Sequence, residues 1–206
     1  MSSLAAAEKK VLNTVHDRIV FRRRVRVLSR RLADELGSSG TVLDLGCGDG
    51  SIARAITDLK PGLAFSGIDV MLRPQTLIPV TRFDGKTIPA EDKAFDWVTI
   101  VDVLHHTDDP AALLAEAARV ARHGVVVKDH LREGFGAYST LRLMDWVGNR
   151  GHDVRLPYNY LSMAEWKALF AKVGVSPRGW RQSLSLYPFP ASLLFDRNLH
   201  FIATLS

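Results

Sequence analysis

Residues 42–50 read Val42-Leu43-Asp44-Leu45-Gly46-Cys47-Gly48-Asp49-Gly50, an apolar run that ends in an acid and continues into three alternating glycines. The apolar run predicts a buried strand. The glycines predict a turn that is poor in side chains, in which backbone N–H groups can approach a bound ligand closely. Because residues 51–56 have the pattern of a helix start, the stretch predicts a strand–turn–helix unit that holds a nucleotide-type cofactor.

The side chains around this turn favour one kind of nucleotide. A dinucleotide fingerprint requires Gly-x-Gly-x-x-Gly, whereas Ser51 occupies the third glycine position here. Asp44 precedes the turn, where its charge would repel a pyrophosphate and attract an ammonium group. Asp69 closes the next strand segment, where a carboxylate can accept both hydroxyls of a ribose. The pattern therefore favours a cofactor that carries an amino acid.

The rest of the chain alternates apolar runs with helical patterns. Seven segments have strand character, namely residues 41–45, 63–69, 79–83, 96–102, 124–129, 175–183 and 200–205. Helical patterns lie between them, at residues 52–59, 111–121 and 164–173. We therefore expect a doubly wound α/β fold with one mostly parallel seven-stranded sheet, whose ligands bind beyond the carboxyl ends of the strands.

Three segments, met in order, resemble one known family. Residues 42–50 are similar to motif I of class I S-adenosylmethionine-dependent methyltransferases. The segment Asp84-Gly85-Lys86-Thr87-Ile88-Pro89-Ala90-Glu91-Asp92-Lys93-Ala94-Phe95-Asp96 resembles the family pattern D-x-x-x-[LI]-P-x-x-D-x-x-F-D, and Val101-Asp102-Val103-Leu104-His105-His106 resembles the end of its fourth strand. Ordered motifs are more specific than a lone glycine pattern. The resemblance implies the Rossmann-like methyltransferase fold and S-adenosylmethionine as cofactor, with S-adenosylhomocysteine as product.

The resemblance also implies a set of cofactor-binding residues. The loop and strand-end positions of this set are Asp44, Gly46, Cys47, Gly48, Gly50, Asp69, Val70, Asp84, Gly85, Asp102 and Val103. It assigns the methionine moiety to Asp44 and the glycine loop, the ribose to Asp69, and the adenine to Asp84 and Gly85. Asp102 and Val103 would lie beside the methionine end. The alternatives are structural, since Asp44 could cap the glycine turn and Asp84 could be a turn residue before Gly85.

Catalysis in such an enzyme is direct displacement of the sulfonium methyl, and a base is needed only for a protonated nucleophile. The candidates follow two strands, His105 and His106 after the fourth and Lys128-Asp129-His130 after the fifth. Of these we single out His106, Asp129 and His130. A histidine satisfied at a strand end is the alternative for both imidazoles. Together with His105 these residues could form a metal site, but their spacing matches no recognised ligand pattern, so we predict no metal.

Two parts of the chain do not fit the regular alternation of strands and helices. Pro74 and Pro79 interrupt residues 70–83, which predicts a crossover without a regular helix. Residues 1–36 hold nine Lys/Arg and four Asp/Glu, and so carry the whole formal charge of +5. This basic segment could attract nucleic acid or an anionic lipid surface. The alternative is an amphipathic helix with a solvated basic face, which packs through Phe21, Val25, Leu28, Leu32 and Leu36.

The 206 residues, 47% of them apolar, fit a single domain, 1–206. We divide it into the basic N-terminal segment 1–36, the cofactor-binding core 37–133, a substrate lid 134–161 and the C-terminal helix and strands 162–206. The single cysteine, Cys47, excludes an internal disulfide. Because the sequence has no signal-peptide core and no transmembrane segment, we expect a cytoplasmic protein.

The acceptor must be chosen by residues outside the core. The lid region contains aromatic and amide side chains that suit a partly apolar small molecule: Tyr138, Met144, Asp145, Trp146, Asn149, Arg150, His152, Tyr158, Asn159 and Tyr160. Residues 184–190 and 193–195 form a second apolar patch that could be core, a dimer face or a lipid-facing surface. We expect a small or lipid-like acceptor, with peripheral membrane contact and a monomer or homodimer left open. The alternatives are a methyltransferase of RNA or protein and a non-catalytic cofactor-binding protein.

Overall fold

The computed structural model describes residues 21–148 and 157–206, and its centre is one seven-stranded sheet. The strands are β1 (Ser39–Leu45), β2 (Gly62–Asp69), β3 (Val80–Arg82), β4 (Phe95–Val101), β5 (Ala121–His130), β6 (Pro177–Gln182) and β7 (His200–Leu205). Their order is β3-β2-β1-β4-β5-β7-β6, and only β7 runs antiparallel to its neighbours. The predicted mostly parallel, doubly wound sheet is confirmed.

Helices cover the sheet. They are α1 (residues 21–35), α2 (Ser51–Leu59), α3 (Pro110–Val120), α4 (Ala137–Gly148), α5 (Met163–Val173) and α6 (Ser192–Phe195), with a 3₁₀ turn at Leu104–His106. Local sequence sets the helix ends. Asp109 accepts a hydrogen bond from the Ala112 N–H at the start of α3, and a Ser162–Glu165 capping box begins α5. Neither α6 nor the 3₁₀ turn was predicted.

Each face of the sheet buries its own apolar cluster. On one face Leu113 and Leu114 of α3, with Trp166 and Phe170 of α5, pack against β4 and β5. On the other face Leu28 and Leu32 of α1 and Ile56 of α2 pack against β1 and β2. Burial on both faces explains why the central strands are continuous apolar runs. The amphipathic packing predicted for residues 21–36 is present, although Phe21 itself is half exposed.

The crossover between β2 and β3 contains no helix, as the two prolines predict. The chain turns instead through residues 70–79, and the backbone N–H of Gly67 donates to the Pro79 carbonyl at 2.8 Å. This short connection brings the end of β3 beside the end of β2. It leaves Val70, Met71 and Leu77 exposed on that edge of the molecule.

The second apolar patch, residues 184–190 and 193–195, is partly buried and partly exposed. Leu184 and Leu186 are fully buried in the core, whereas Phe189 and Leu193 are exposed. Arg197 joins α6 to α4, because its guanidinium donates to the Leu194 carbonyl and to the Thr140 hydroxyl. In the part of the chain that the structure describes, no helix is both long and apolar enough to cross a membrane.

Candidate functional site

The glycine loop follows β1 at the carboxyl edge of the sheet. Gly46, Gly48 and Gly50 have φ values of 72°, 59° and 78°, in the left-handed region that glycine tolerates best. A Cβ on Gly46 would lie 2.5 Å from a Val103 methyl carbon, and one on Gly50 would lie 2.5 Å from Ile78. A Cβ on Gly48 would meet nothing within 4 Å. The loop is thus packed at its two ends and open at Gly48, where a ligand can reach the backbone.

Three carboxylates lie at the edge of the sheet that holds this loop. Asp44 lies near the end of β1, Asp69 ends β2, and Asp84 lies two residues beyond β3. These strands are neighbours in the sheet, in the order β3-β2-β1. Because adjacent strands are about 4.8 Å apart, the acids form a row about 10 Å long. A row of acceptors of this length suits an extended ligand that carries an ammonium group, a diol and an amino-purine edge.

Asp69, the last residue of β2, is hydrogen-bonded to the glycine loop that follows β1. Its Oδ2 accepts a hydrogen bond from the Gly48 N–H at 2.8 Å, and its Oδ1 accepts one from the Met71 N–H at 2.9 Å. A carboxylate can accept about four hydrogen bonds, so both oxygens keep acceptor capacity. The side chain is half-buried at the loop opening. It therefore fixes the loop and can still accept from a vicinal diol.

Asp84 and Gly85 lie beside Val70. The Asp84 Oδ1 accepts hydrogen bonds from the N–H groups of Lys86 and Thr87, each at 2.8 Å, and these bonds lower the pKa of Asp84. A Cβ on Gly85 would lie 3.0 Å from a Val70 methyl carbon. Asp84 is thus a turn residue, as the structural alternative holds, yet it is exposed, and its neighbour Gly85 adjoins Val70, the side chain that the family resemblance places over the adenine face.

Asp44 is buried and electrostatically unusual. Its side chain is 4% exposed and accepts a hydrogen bond from the Thr99 hydroxyl at 2.7 Å. Burial raises the pKa of Asp44 to about 7. Burial, together with the charges of Asp44 and Asp69, also raises the pKa of the Cys47 thiol to about 12. A buried acid with a raised pKa is stabilised by an added cation, whereas Cys47 carries no reactive thiolate.

These residues fit S-adenosylmethionine. The open position at Gly48 accepts a ligand chain against the backbone, buried Asp44 accepts an ammonium group, and half-buried Asp69 accepts a diol. The donor and acceptor types match the three polar parts of that molecule. The structure therefore brings together the predicted residues from β1 to the Asp84 turn at one edge of the sheet.

Asp102, which the family resemblance assigns to the methionine end, already has two cationic partners. Its carboxylate forms ion pairs with Arg24 of α1 and with the fully buried Lys128 of β5. Burial opposes ionisation, but Lys128 and Arg24 hold the pKa of Asp102 well below its usual range. The Asp102 backbone has φ +56°, which is uncommon outside glycine. Sequence reasoning did not foresee that α1 reaches the site through Arg24.

The predicted catalytic residues lie together, but the hydrogen-bond partners of their side chains include residues that the sequence did not indicate. Asp129 is fully buried, and its carboxylate contacts the Nδ1 of His105 at 2.6 Å. It also accepts hydrogen bonds from the N–H groups of Leu104 and His130. Asp129 therefore orients His105, which was among the candidate bases after the fourth strand but was not singled out as catalytic. Burial opposes the imidazolium, but Asp129 and Asp145 raise the pKa of His105 to about 10.

The two predicted histidines have contrasting surroundings. His130 is 5% exposed, and its Nε2 lies 3.4 Å from Asp145. Burial and the charge of His105 lower the pKa of His130. The same two causes lower the pKa of His106 to about 4, and the buried Nδ1 of His106 has no hydrogen-bond partner among the described residues. Of the two predicted histidines, His106 is thus the one with an unpartnered ring nitrogen.

Three further residues complete this cluster. Asp145 of α4 accepts a hydrogen bond from the Tyr160 hydroxyl. His200, the first residue of β7, contacts the His130 Nδ1 at 3.1 Å through its own Nδ1. Both Asp145 and Tyr160 belong to the predicted lid, but nothing in their spacing indicated a shared partner. His200 is brought to His130 by the antiparallel register of β5 and β7, which the sequence alone does not reveal.

The lid segment is only partly described. Asn149, Arg150 and His152 lie outside the described residues. Leu141 of α4, Tyr160 and Leu199 form a small buried cluster, so one side of α4 packs against the core. The other side exposes Tyr138, Leu143, Trp146 and Val147. Whether this segment closes over an acceptor stays a prediction.

A family model described as a methyltransferase domain matches residues 16–177. A ubiquinone biosynthesis O-methyltransferase from Hydrogenovibrio crunogenus is 31% identical, over 65% of this chain and 64% of that protein. A ubiquinone/menaquinone biosynthesis C-methyltransferase from Cupriavidus taiwanensis is 29% identical, over 59% of this chain and 58% of its own. The chain therefore spans less than two thirds of the length of these relatives.

Solved structures share the fold. An S-adenosylmethionine-dependent methyltransferase from Thermotoga maritima superposes with a TM-score of 0.65 at 18% identity, covering 96% of this chain and 97% of that chain. Another from Mesorhizobium loti gives a TM-score of 0.61 at 16% identity, covering 85% and 95%. Similarity at these identities concerns the fold alone.

Proposed function

The chain belongs to the class I S-adenosylmethionine-dependent methyltransferase family, and from this premise we propose that it methylates a small, partly apolar acceptor. The observation that carries the proposal is the row of Asp44, Asp69 and Asp84 at the edge of the sheet that holds the glycine loop, where Asp69 contacts Gly48. Membership of this family implies use of S-adenosylmethionine, and the row provides acceptors for its ammonium, ribose and adenine parts.

In the proposed complex, Asp44 and the Gly46–Gly50 loop hold the methionine moiety, Asp69 holds the ribose, and Asp84 and Gly85 hold the adenine edge. Val103, which packs against Gly46, lies beside the methionine end. When bound, S-adenosylmethionine supplies an electrophilic methyl group on a positively charged sulfur. The protein then has to align the acceptor with that methyl group and exclude water.

Residues after β4 and β5 face the acceptor side in this proposal. A phenolic or hydroxyl acceptor loses its proton as its oxygen bonds to the methyl carbon, and the sulfur retains the electrons of the broken bond. We assign His106 as the residue that receives this proton, since its Nδ1 is unpartnered. Asp129 and His130 are positioning residues here, because their polar atoms contact His105, Asp145 and His200.

Aromatic and apolar side chains of the predicted acceptor region, together with the names of two relatives, indicate the class of acceptor. The rings of Tyr138 and Tyr158 each lie within contact distance of the Tyr160 ring, in the segment predicted to hold the acceptor. Helices α4 and α6 also expose apolar side chains, among them Trp146 and Leu193. Two of the relatives are named for ubiquinone biosynthesis. These features support a quinone-like or lipid-like aromatic acceptor and peripheral contact with a lipid surface.

A turnover assay tests the proposal. The protein is incubated with S-adenosylmethionine and a panel of catechols and hydroquinones, with and without an apolar tail, and S-adenosylhomocysteine is measured by mass spectrometry. We expect acceptor-dependent product that falls sharply in Asp69→Ala. If the protein binds S-adenosylhomocysteine but turns over none of these acceptors, a non-catalytic role is favoured. Turnover only with added RNA or protein would support the other alternative.

A further inference from the structure

A groove lies between helix α1 and the end of helix α2. Its volume is about 520 Å³, which falls within the range of about 300–1,000 Å³ that small-molecule sites occupy. The side chains that line it include Val27, Arg30, Arg31 and Asp34 of α1, Leu59 of α2, and Lys60, the residue that follows α2. We name this feature the α1–α2 groove.

The α1–α2 groove is separate from the proposed cofactor site. Helix α1 ends just before β1 begins, and helix α2 ends just before β2 begins. Leu59 and Lys60 therefore lie at the amino end of β2, whereas Asp44 and Asp69 lie at the carboxyl ends of their strands. Because the eight residues of β2 span about 26 Å, the groove and the cofactor site are at opposite ends of the sheet.

Three cationic side chains of the groove have donors to spare. Within residues 21–148 and 157–206, the guanidinium groups of Arg30 and Arg31 form no hydrogen bond and no ion pair. Lys60 is held in place, because its ammonium group donates to the carbonyl groups of Leu36 at 2.8 Å and Gly37 at 3.4 Å. An ammonium group has three N–H donors, so one of them remains for a ligand.

The groove carries an excess of positive charge. Asp34 is the only acid of its lining, and this carboxylate lies 3.2 Å from the guanidinium of Arg181, which is not part of the lining. Three cations and one acid leave two positive charges uncompensated, even before the ion pair with Arg181 is counted. A groove with this charge attracts an anion.

The groove also offers apolar surface. Leu59 is 48% exposed, and Val27 is half-buried beside it in the lining. Covering an exposed leucine with apolar atoms removes its surface from water, which is favourable. A ligand with both an anionic group and an apolar part therefore complements the groove better than a bare anion does.

We propose that the α1–α2 groove binds a small organic phosphate, that is, a phosphate monoester of an apolar group. The phosphate oxygens accept hydrogen bonds from Arg30, Arg31 and Lys60, and the apolar group covers Val27 and Leu59. A phosphate monoester has three free oxygens and a charge of about −2, which match three donors and two excess charges better than a carboxylate does. Arginine suits phosphate in particular, because its planar N–H groups bind two oxygens at once. The proposal does not rest on methyl transfer.

Isothermal titration calorimetry of the full chain with hexyl phosphate tests the proposal. We expect saturable binding of about one molecule per chain, and weaker binding of inorganic phosphate, which leaves Leu59 uncovered. Saturating S-adenosylhomocysteine should leave the affinity for hexyl phosphate unchanged, because the two sites are separate. Absence of saturable binding, or competition between the two ligands, would overturn the proposal. Binding only to vesicles that contain phosphatidic acid would overturn the assignment to a small phosphate.

Two double variants locate the binding site. Arg30→Gln with Arg31→Gln removes two of the three cations and should weaken hexyl phosphate binding by about tenfold or more. Arg22→Gln with Arg26→Gln is the matched control, because it removes the same charge from exposed positions of α1 outside the lining. It should weaken binding far less, since solvent and salt screen exposed charges. Circular dichroism should report the wild-type fold for both. Equal weakening would show a general attraction to α1 and would overturn the proposal.

Discussion

The carboxylate of Asp69 accepts a hydrogen bond from the backbone N–H of Gly48 at 2.8 Å and so fastens the end of β2 to the loop that follows β1. Through this contact, the residue assigned to the ribose also sets the shape of the loop assigned to the methionine. Cofactor affinity and loop order should therefore change together.

Replacing Asp69 with alanine removes both functions. Hydrogen bonds to charged groups contribute about 1.5–3 kcal/mol, so Asp69→Ala should weaken S-adenosylhomocysteine binding by about tenfold or more. Isothermal titration calorimetry measures the effect. Asp58→Ala is the control, because Asp58 is an exposed carboxylate on α2 that pairs with Arg54. A similar affinity in the two variants would argue against the assigned role of Asp69.

The open position at Gly48 can be tested by adding one methyl group. Gly48→Ala places a side chain at φ +59°, which costs about 1–2 kcal/mol, and it fills the space assigned to the cofactor. Gly174→Ala incurs similar strain at φ +80°, also with nothing within 4 Å, but lies at the end of α5. Thermal melting should show comparable destabilisation in both. Only Gly48→Ala should lose S-adenosylhomocysteine binding, and equal retention would contradict the proposed site.

Asp44 should make cofactor binding depend on pH. Its pKa in the folded protein, about 7, lies above the usual value of 3.8, so the folded state holds a proton between these values that the unfolded chain has released. The free protein therefore loses stability as pH rises through this window. An ammonium group favours the ionised acid, so binding below pH 7 must release the proton. Affinity for S-adenosylhomocysteine should be about tenfold lower at pH 6 than at pH 8.

Asp44→Asn provides the control for this pH effect, since the amide can keep a hydrogen bond to the Thr99 hydroxyl but does not titrate. Its affinity should be weaker and flat across the same range. Titrations in two buffers with different ionisation enthalpies would show proton release in the wild type only. A wild-type affinity that does not change from pH 6 to 8 would contradict the raised pKa or the assigned contact.

Arg24 should stabilise the fold more than its neighbours on α1 do. Its side chain is 28% exposed and pairs with Asp102, which is 14% exposed, and removing Arg24 takes away one of the two cations, Arg24 and Lys128, that neutralise this largely buried carboxylate. We expect Arg24→Gln to lower the free energy of unfolding by about 1–3 kcal/mol. Exposed Arg26→Gln should change it by less than about 0.5 kcal/mol. Urea denaturation compares them, and equal midpoints would refute the structural role of Arg24.

The sequence predicted the fold well where a pattern is local. Strand patterns, several of them continuous apolar runs, located all seven strands within a few residues, and β7 was predicted at its observed bounds, His200–Leu205. Proline chemistry predicted the helix-free crossover after β2. The short helix α6 was missed because four residues carry too little periodicity to be distinguished from a turn.

Prediction of the site succeeded for the acids at successive strand ends and failed for the partners that come from distant elements. Asp44, Asp69 and Asp84 follow successive strands, so parallel topology alone places them at one edge. The partners of the histidines come from distant elements. Asp145 lies on α4, and the strand register brings His200 to the site. Arg24 lies on a basic helix for which a polyanion-binding or a solvated face was predicted, and no ion pair inside the fold. Such contacts depend on tertiary packing, which local pattern does not encode.

A crystal structure of the complex with S-adenosylhomocysteine is the most direct test of the account. We expect the homocysteine portion to lie along the Gly46–Gly50 loop with its ammonium group at Asp44. The ribose hydroxyls should bind Asp69, and the adenine should lie against Val70 and Gly85. Its sulfur should face the side of the site that holds His106. A ligand bound elsewhere, or crystals that contain none at saturating concentration, would contradict the central claim.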